Sequence, residues 1–149
     1  MSSTDRSPTP SPQPPSCIFC RIVRGEAPAH RVYEDAQTLA FMDVFPVTDG
    51  HTLVITKEHF ENLFEASEAS LTAVAATAHR VAGAIRSELA PDGLMVFQLN
   101  GVAAGQTVLH YHMHLMPRAM NEPLALHARV PGKPERLAEI AAKLAGALR

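Results

Sequence analysis

A run of alternating histidines constrains the fold of this chain more than any other feature. Residues 105–116 read GQTVLHYHMHLM, so three of the eight histidines alternate with apolar residues. Successive side chains of a strand point to opposite faces, so His110, His112 and His114 share one face of a predicted strand over 108–116. A helix fits poorly, because residues two apart spread around its circumference. The other face is predicted to be buried under a helix and carries Leu109, Tyr111, Met113 and Leu115.

Hydrophobic periodicity predicts the other elements. Apolar stripes predict a short helix over 17–24, a long helix capped by Ser67 and ending near residue 90, and a C-terminal helix over 134–148. Short β-branched or apolar runs predict four more strands. These cover 31–34, 38–43, 51–56 and 94–99. Hairpin-length links between strands favour an α+β fold, in which a five-stranded antiparallel sheet carries a long central helix and a C-terminal helix.

The composition indicates one folded domain behind a polar tail. The chain has 149 residues and is 46% hydrophobic, which is enough for a core of ordinary size. Residues 1–16 are rich in proline and serine and offer little apolar surface to bury. We predict a disordered tail over 1–16 and a single domain over 17–149. The tail has either no role or that of a proline-rich docking site.

Charge and hydropathy exclude several classes of function. The 13 basic and 15 acidic side chains give a formal net charge of −2. A nucleic-acid binder or a polybasic membrane anchor needs a positive field that this chain lacks. No apolar run approaches the roughly 20 residues of a membrane span, and the first residues lack the apolar centre of a signal peptide. We therefore expect a cytoplasmic protein that binds neither nucleic acid nor membrane.

The loop before the histidines predicts phosphate chemistry. Residues 100–107 read NGVAAGQT, and glycine lets backbone N–H groups approach an anion closely. The side chains of Gln106 and Thr107 add neutral donors, which suit a phosphodiester or phosphoramidate. Flanked by two imidazoles, a neutral His112 can attack such a phosphorus. Two other interpretations of the histidines stay open: an exposed polar face, and three ligands of one zinc ion.

The motif HYHMHLM at 110–116 resembles the signature of the histidine triad (HIT) superfamily, in which histidines alternate with apolar residues. The segments CIFCRIVRGEAPAHRVYED at 17–35, GHTLVITKEH at 50–59 and AGQTV at 104–108 extend the resemblance over 17–118. The similarity is greatest to the bacterial Hint-like branch of nucleotide hydrolases and transferases. It implies hydrolysis of purine nucleoside 5′-phosphate derivatives, such as phosphoramidates and nucleotidylated amines, through a nucleotidyl-histidine. It also implies a homodimer.

The resemblance assigns roles to single residues. His112 takes the position of the nucleophile, His114 contacts phosphate, and His51 lies behind the triad. Asp43 matches the carboxylate that binds the ribose. Residues matched to the phosphate loop are Asn100, Gly105, Gln106 and Thr107, and those matched to the purine walls are Ile18, Phe19, Ile22, Phe41 and Val44. From the residues alone, Asp43 ends a strand beside a proline-containing loop, where a carboxylate can reach a ligand, and an ordinary loop or capping position is the alternative. His51 could equally be a satisfied buried histidine, and Phe19, Ile22 and Phe41 could equally be plain core. Leu99 departs from the family, which often has an amide side chain there.

The pair Cys17 and Cys20 forms a CxxC motif, which in a reducing compartment is a metal or redox candidate. The resemblance adds His59 and His110 and implies a structural zinc site. Two free buried thiols and a redox pair remain alternatives. No catalytic metal is required, because imidazoles and loop amides can meet the developing charge.

Rival functions are a dinucleoside polyphosphate hydrolase, a nucleotide-binding regulatory module with little turnover, and a zinc-dependent interaction protein. The remaining histidines are expected at the surface: His30, His79 and His127.

Overall fold

Antiparallel strands form the centre of the protein. The computed structural model describes residue 14 and residues 16–149, and in this part of the chain five strands make one sheet of order β1-β2-β3-β5-β4. The strands are β1 (Arg31–Glu34), β2 (Thr38–Met42), β3 (Thr52–Thr56), β4 (Gly93–Phe97) and β5 (His112–Arg118). The α+β class with a five-stranded antiparallel sheet is therefore confirmed. All but two residues of the proposed tail lie outside the described residues.

Three α-helices accompany the sheet in the described residues: α1 (Ile18–Val23), α2 (Glu68–Leu89) and α3 (Pro134–Ala147). The Oγ of Ser67 accepts a hydrogen bond from the Ser70 backbone N–H at 3.1 Å, which caps the first turn of α2 as the sequence predicts. Pro91 follows the left-handed residue Ala90 (φ 44°), and α2 ends there. None of these helices is both long and apolar enough to cross a membrane.

The two faces of the sheet carry separate apolar clusters. On one face, the sheet residues Ala40, Val54 and Leu115 pack against α2 and α3. On the other face, Leu39, Phe41, Leu53 and Ile55 pack against Phe19 and Ile22 of α1. This separation follows from the period of two along each strand, because alternate residues of β2 and β3 join different clusters. The long helices thus support the sheet from behind and leave the α1 face for a site.

The last strand begins later than the sequence predicts. It starts at His112 instead of residue 108 and continues through Pro117 to Arg118. Its neighbour β3 ends at Thr56, and the last pair in their register is Ile55 with His112, so nothing extends the ladder further back. The backbone turns there, with the His110 N–H donating to the Val108 carbonyl at 2.9 Å.

Leu109, predicted to be buried, is consequently 45% exposed. Tyr111, Met113 and Leu115 do pack into the helix-covered cluster.

Candidate active site

The three alternating histidines meet on the α1 side of the sheet. His112 and His114 belong to β5, with ring centres 4.9 Å apart, and His110 lies in the turn just before it. The Phe19 ring of α1 contacts the rings of His110 at 5.7 Å and His112 at 5.1 Å, so both point towards the same helix. All three histidines are buried. The predicted common face is confirmed, although only two of the rings stand on the strand itself.

A backbone carbonyl fixes the protonation of His112. The Nδ1 atom of His112 lies 2.6 Å from the His110 carbonyl oxygen. A carbonyl oxygen only accepts, so Nδ1 carries the hydrogen and Nε2 keeps its lone pair. Burial lowers the pKa of His112 from its ordinary value, against the opposing effect of this hydrogen bond. His112 therefore stands as a neutral imidazole with an unprotonated Nε2, the form in which the ring is a nucleophile.

A second chain of hydrogen bonds fixes His114. The Val47 N–H donates to Nδ1 of His51 at 3.2 Å, so the proton of His51 is on Nε2. This Nε2 lies 2.9 Å from Nδ1 of His114 and donates to it, which leaves the His114 hydrogen on Nε2. Burial lowers the pKa of His51 to about 4 and that of His114 to about 3. His114 is therefore a neutral hydrogen-bond donor beside the lone pair of His112.

Asp43 adds a carboxylate at the edge of this group. It follows β2, and its Oδ1 accepts from the Phe45 N–H at 2.9 Å. Its Oδ2 lies 3.6 Å from Nε2 of His51. Burial raises the pKa of Asp43, while the Phe45 N–H opposes that shift. The structure thus brings Asp43 and His51 next to the triad, as the resemblance implies.

The loop at 100–107 is held by its own amide side chains. The Gln106 Oε1 accepts from the Gly101 N–H at 2.7 Å, and its Nε2 donates to the carbonyls of Glu61 at 2.5 Å and Val108 at 3.0 Å. With both of its donors directed at carbonyl oxygens, this side chain braces the loop. Its predicted contact with a phosphate stays a prediction, and would need one of these bonds to be exchanged. Its buried amide is needed to satisfy backbone groups.

Asn100 is also occupied within the protein. Its Oδ1 accepts from the Leu63 N–H at 2.8 Å, and its Nδ2 donates to Oε1 of Gln98 at 2.8 Å. The predicted phosphate contact through this side chain would require these bonds to be exchanged. Thr107, in contrast, is exposed and lines a groove with Ile18 and Val108, so its hydroxyl remains accessible.

Gly105 must be glycine for two reasons. Its φ is +97°, a conformation that side chains disfavour. A Cβ there would also lie 3.3 Å from both the Leu99 Cδ1 and the His127 Nε2. Leu99, the departure from the family pattern, thus packs an apolar group against this glycine. The N–H groups of Ala104, Gly105 and Gln106 donate to the carbonyls of Gly101 and Val102 within the loop.

The residues predicted to form purine walls divide into two groups. Phe19, Ile22 and Phe41 are buried in the α1 cluster, with Phe19 and Phe41 in edge contact at 5.4 Å. These three side chains lie in the core beside the site, and their predicted contact with a purine stays a prediction. Ile18 and Val44 are 40% and 47% exposed and can contact a ligand directly.

A cluster of two cysteines and two histidines lies beside the triad. The ligand atoms of Cys17, Cys20, His59 and His110 all lie within 4.8 Å of one another. The two Nδ1 atoms are 3.2 Å apart, and the Sγ of Cys20 lies 3.2 Å and 3.5 Å from those of His59 and His110. A tetrahedral zinc site would separate two nitrogens by roughly 3.3 Å, and sulfur from nitrogen by roughly 3.6 Å. The donor set therefore fits zinc in both type and spacing.

The second nitrogen of His110 is also fixed as a metal ligand requires. Its Nε2 donates to the Thr56 carbonyl at 2.6 Å, which leaves Nδ1 free to bind. Burial is the main cause that raises the pKa of the Cys20 thiol to about 12. A thiolate at that position therefore needs a cation beside it. The ring of His110 thus forms part of the cysteine cluster, while its carbonyl oxygen accepts the hydrogen bond from His112.

Comparison with known proteins agrees with this geometry. The family model described as the HIT domain matches residues 24–121, which is 98 of 149 residues. The protein belongs to the HIT family. Protein hit of Bacillus subtilis is 48% identical over 103 residues, which is 69% of this chain and 71% of that protein. Adenylylsulfatase HINT3 of Arabidopsis thaliana is 36% identical over 102 residues, 68% of this chain and 52% of that protein.

Solved HIT structures share the fold. A Hit-like protein from Bartonella henselae, described as involved in cell-cycle regulation, superposes with a TM-score of 0.85 at 38% identity. The match covers 91% of this chain and 98% of that one. A zinc-bound histidine triad protein from Mycobacterium smegmatis superposes with a TM-score of 0.79 at 40% identity, over 89% and 93% of the two chains.

Two residues at this HIT site were not predicted from the sequence. Phe97 stacks on His114, with ring centres 4.3 Å apart and planes 6° from parallel. The register places Phe97 directly opposite His114, so a correct alignment of β4 with β5 would have revealed it. His127 is exposed as predicted, yet its ring lies 6.4 Å from that of His114. It stands in a linker without periodicity, and the sequence carries no signal for that contact.

Proposed function

We propose that this HIT protein hydrolyses the α-phosphate bond of purine nucleoside 5′-phosphate derivatives through a covalent nucleotidyl-His112. Phosphoramidates and nucleotidylated amines are the proposed substrates. The observation that carries the proposal is the 2.6 Å contact between Nδ1 of His112 and the His110 carbonyl oxygen. It presents the Nε2 lone pair of a neutral imidazole, which binding alone would not require.

The proposed reaction has two steps. The Nε2 lone pair of His112 forms a bond to phosphorus while the bond from phosphorus to the leaving nitrogen breaks, and the amine leaves with that electron pair and gains a proton. Water then attacks phosphorus and gives up a proton to solvent, while the bond to His112 breaks and its electron pair returns to Nε2, which releases the nucleoside monophosphate and the free ring. His114 donates from Nε2 to a phosphate oxygen, as its 2.9 Å bond to His51 favours.

The remaining residues are proposed to orient the nucleotide. The carboxylate of Asp43 accepts from the ribose hydroxyls, because it lies at the end of β2 beside the histidines. Ile18 and Val44 offer exposed apolar surface to the base. The N–H groups of Ala104, Gly105 and Gln106 are bonded within the loop, so the accessible hydroxyl of Thr107 is the loop donor proposed for the phosphate. Developing charge is then met by imidazoles and this hydroxyl.

The relative named adenylylsulfatase supports an enzyme that cleaves an adenylyl group. Two other functions are to be tested beside it: hydrolysis of dinucleoside polyphosphates, and nucleotide binding with little turnover. The specificity constants for an adenosine phosphoramidate and for a diadenosine polyphosphate, measured side by side, distinguish the first two. Tight nucleotide binding with negligible hydrolysis of either substrate would support the third.

The test of the nucleophile is His112→Ala, with His112→Asn as a second variant whose side-chain amide can still donate to the His110 carbonyl. We expect both to fold and both to lose at least about a thousandfold in kcat on an adenosine phosphoramidate. His79→Ala, on the exposed face of α2, is the control and should retain activity. Turnover by either His112 variant near the wild-type rate would refute the assignment.

We also propose that zinc binds Cys17, Cys20, His59 and His110. The fit of their spacing to a tetrahedron supports this. Zinc would make both cysteines thiolates and tie α1 to the sheet next to the triad. Its role for catalysis would be indirect, by holding the carbonyl of His110 against His112. Metal analysis of the purified protein should give about one zinc per chain.

We propose a homodimer formed through α2 and β4. The strand β4 stands at an edge of the sheet, and Val96 on it is 49% exposed. Unpaired strand edges favour pairing with another chain. Light scattering coupled to gel filtration should give twice the mass of the chain, and Val96→Lys should shift it towards the monomer.

A further inference from the structure

We propose that His127 donates a hydrogen bond from Nε2 to the leaving group during cleavage and so determines which leaving groups the enzyme accepts. The inference rests on the proposed function of the triad. His127 lies outside the segment 24–121 that defines the HIT domain. The family match therefore assigns no role to it.

The position of His127 is the first observation. Its ring is 6.4 Å from that of His114, in an edge-to-face arrangement with planes 78° apart. A Cβ on Gly105 would stand 3.3 Å from its Nε2. His127 thus reaches from beyond β5 to the loop that is proposed to bind phosphate, with Nε2 turned towards that loop.

The charges around His127 are the second observation. Burial is the main cause that lowers the pKa of His51, His112 and His114, and the nearby His127 lowers each of them further. His127 also acts on Asp43, where it opposes the rise in pKa caused by burial. Its ring is therefore close enough to influence Asp43, His51, His112 and His114.

The direction of attack is the third argument. Displacement at phosphorus places the nucleophile and the leaving group on opposite sides of the reacting atom. His112 is 5% exposed and must approach from the floor of the site, so the leaving group departs towards solvent. His127 is exposed to that solvent, and its ring lies 6.4 Å from that of His114. A donor there can bond to the nitrogen or oxygen on which negative charge develops.

The segment that carries His127 is tied down at both ends. On one side the Arg118 guanidinium donates to the Glu122 carbonyl at 3.0 Å. On the other side the Gly132 N–H donates to the Val44 carbonyl at 2.8 Å, in the loop that follows Asp43. The segment is therefore attached to the end of β5 on one side and to the loop after Asp43 on the other, which restricts the positions that His127 can take.

The test compares two adenosine 5′-phosphate esters or amides that differ in the leaving group alone. An alkylamine needs a proton as it leaves, whereas 4-nitrophenolate departs as a stable anion. We expect His127→Ala to lower kcat/KM for the alkylamine at least about tenfold and for the nitrophenyl ester less than about twofold. His127→Gln, which keeps a donor, should recover part of the loss. His79→Ala is the matched control and should change neither substrate.

The outcomes separate the two proposals. If the wild-type protein hydrolyses both substrates and His127→Ala lowers both equally, His127 has a structural role and this inference fails while the proposed function stands. If the wild type hydrolyses neither, the proposed function fails and the inference with it. AMP has no leaving group, so its affinity should change less than about twofold in His127→Ala. A larger loss would assign His127 to nucleotide binding instead.

Discussion

Acid should destabilise this protein through the buried pair His51 and His114. Both are at most 4% exposed, and burial lowers their pKa from 6.5 to about 4 and about 3. Below pH 6.5 the unfolded chain therefore binds protons that the folded protein does not. The free energy of unfolding consequently decreases as the pH is lowered, until the pKa values of the folded protein are reached. Stability is fully retained only above the ordinary histidine pKa.

The size of the effect follows from the shift. One pKa unit corresponds to about 1.4 kcal/mol, so at pH 5 each of the two histidines should cost roughly 2 kcal/mol and the pair roughly 4. That is a large part of the 5–15 kcal/mol typical of a domain. The chain has no tryptophan, so urea unfolding at pH 7.5 and pH 5.0 is best followed by circular dichroism of the helices.

The variant His114→Asn tests whether His51 and His114 cause this loss of stability in acid. His114→Asn removes one titrating ring, and its Oδ1 can still accept from Nε2 of His51. The difference in unfolding free energy between the two pH values should then shrink by roughly 2 kcal/mol. His79→Asn, on the exposed face of α2, should lose as much as the wild type. Acid effects on the cysteine cluster are common to all three proteins and cancel. An unchanged loss in His114→Asn would refute the reasoning.

Four further variants test other parts of the structure. Gly50→Ala should lower the unfolding free energy by about 1–3 kcal/mol, because φ is +91° and a Cβ would meet Leu89 at 2.5 Å. Gly83→Ala in α2, with open space around it, should be neutral or stabilising in the same urea assay. Cys20→Ser should abolish zinc retention on metal analysis, and full zinc content would contradict the ligand set. Asp43→Asn should weaken AMP binding in calorimetry about tenfold, and unchanged affinity would remove its ribose role.

Local signals predicted most of the fold. The bounds of β1 agree with the structure, and the Ser67 cap places the start of α2, because caps and turns depend on neighbouring residues. The start of β5 was wrong because a strand needs a partner, and β3 ends at Thr56. Alternation alone does not show where the neighbouring strand stops.

The site could be predicted in its chemistry but only partly in its contacts. The resemblance pointed to Asp43, His51 and His114, which the structure places side by side, whereas it did not show that the Gln106 amide is occupied by backbone groups. The position of His127 depends on how the linker is anchored at Gly132, which is a tertiary contact without a local pattern. Dimerisation and a cytoplasmic location stay predictions.

The central claim is that His112 forms a bond to the nucleotide. Mass spectrometry of the protein quenched during turnover of a slow adenosine phosphoramidate tests it directly. The account predicts a chain heavier by one adenylyl group, with the added mass on the peptide that contains His112, and no such species in His112→Asn. Turnover without a trapped adduct in rapid-quench samples, or an adduct on another residue, would contradict it.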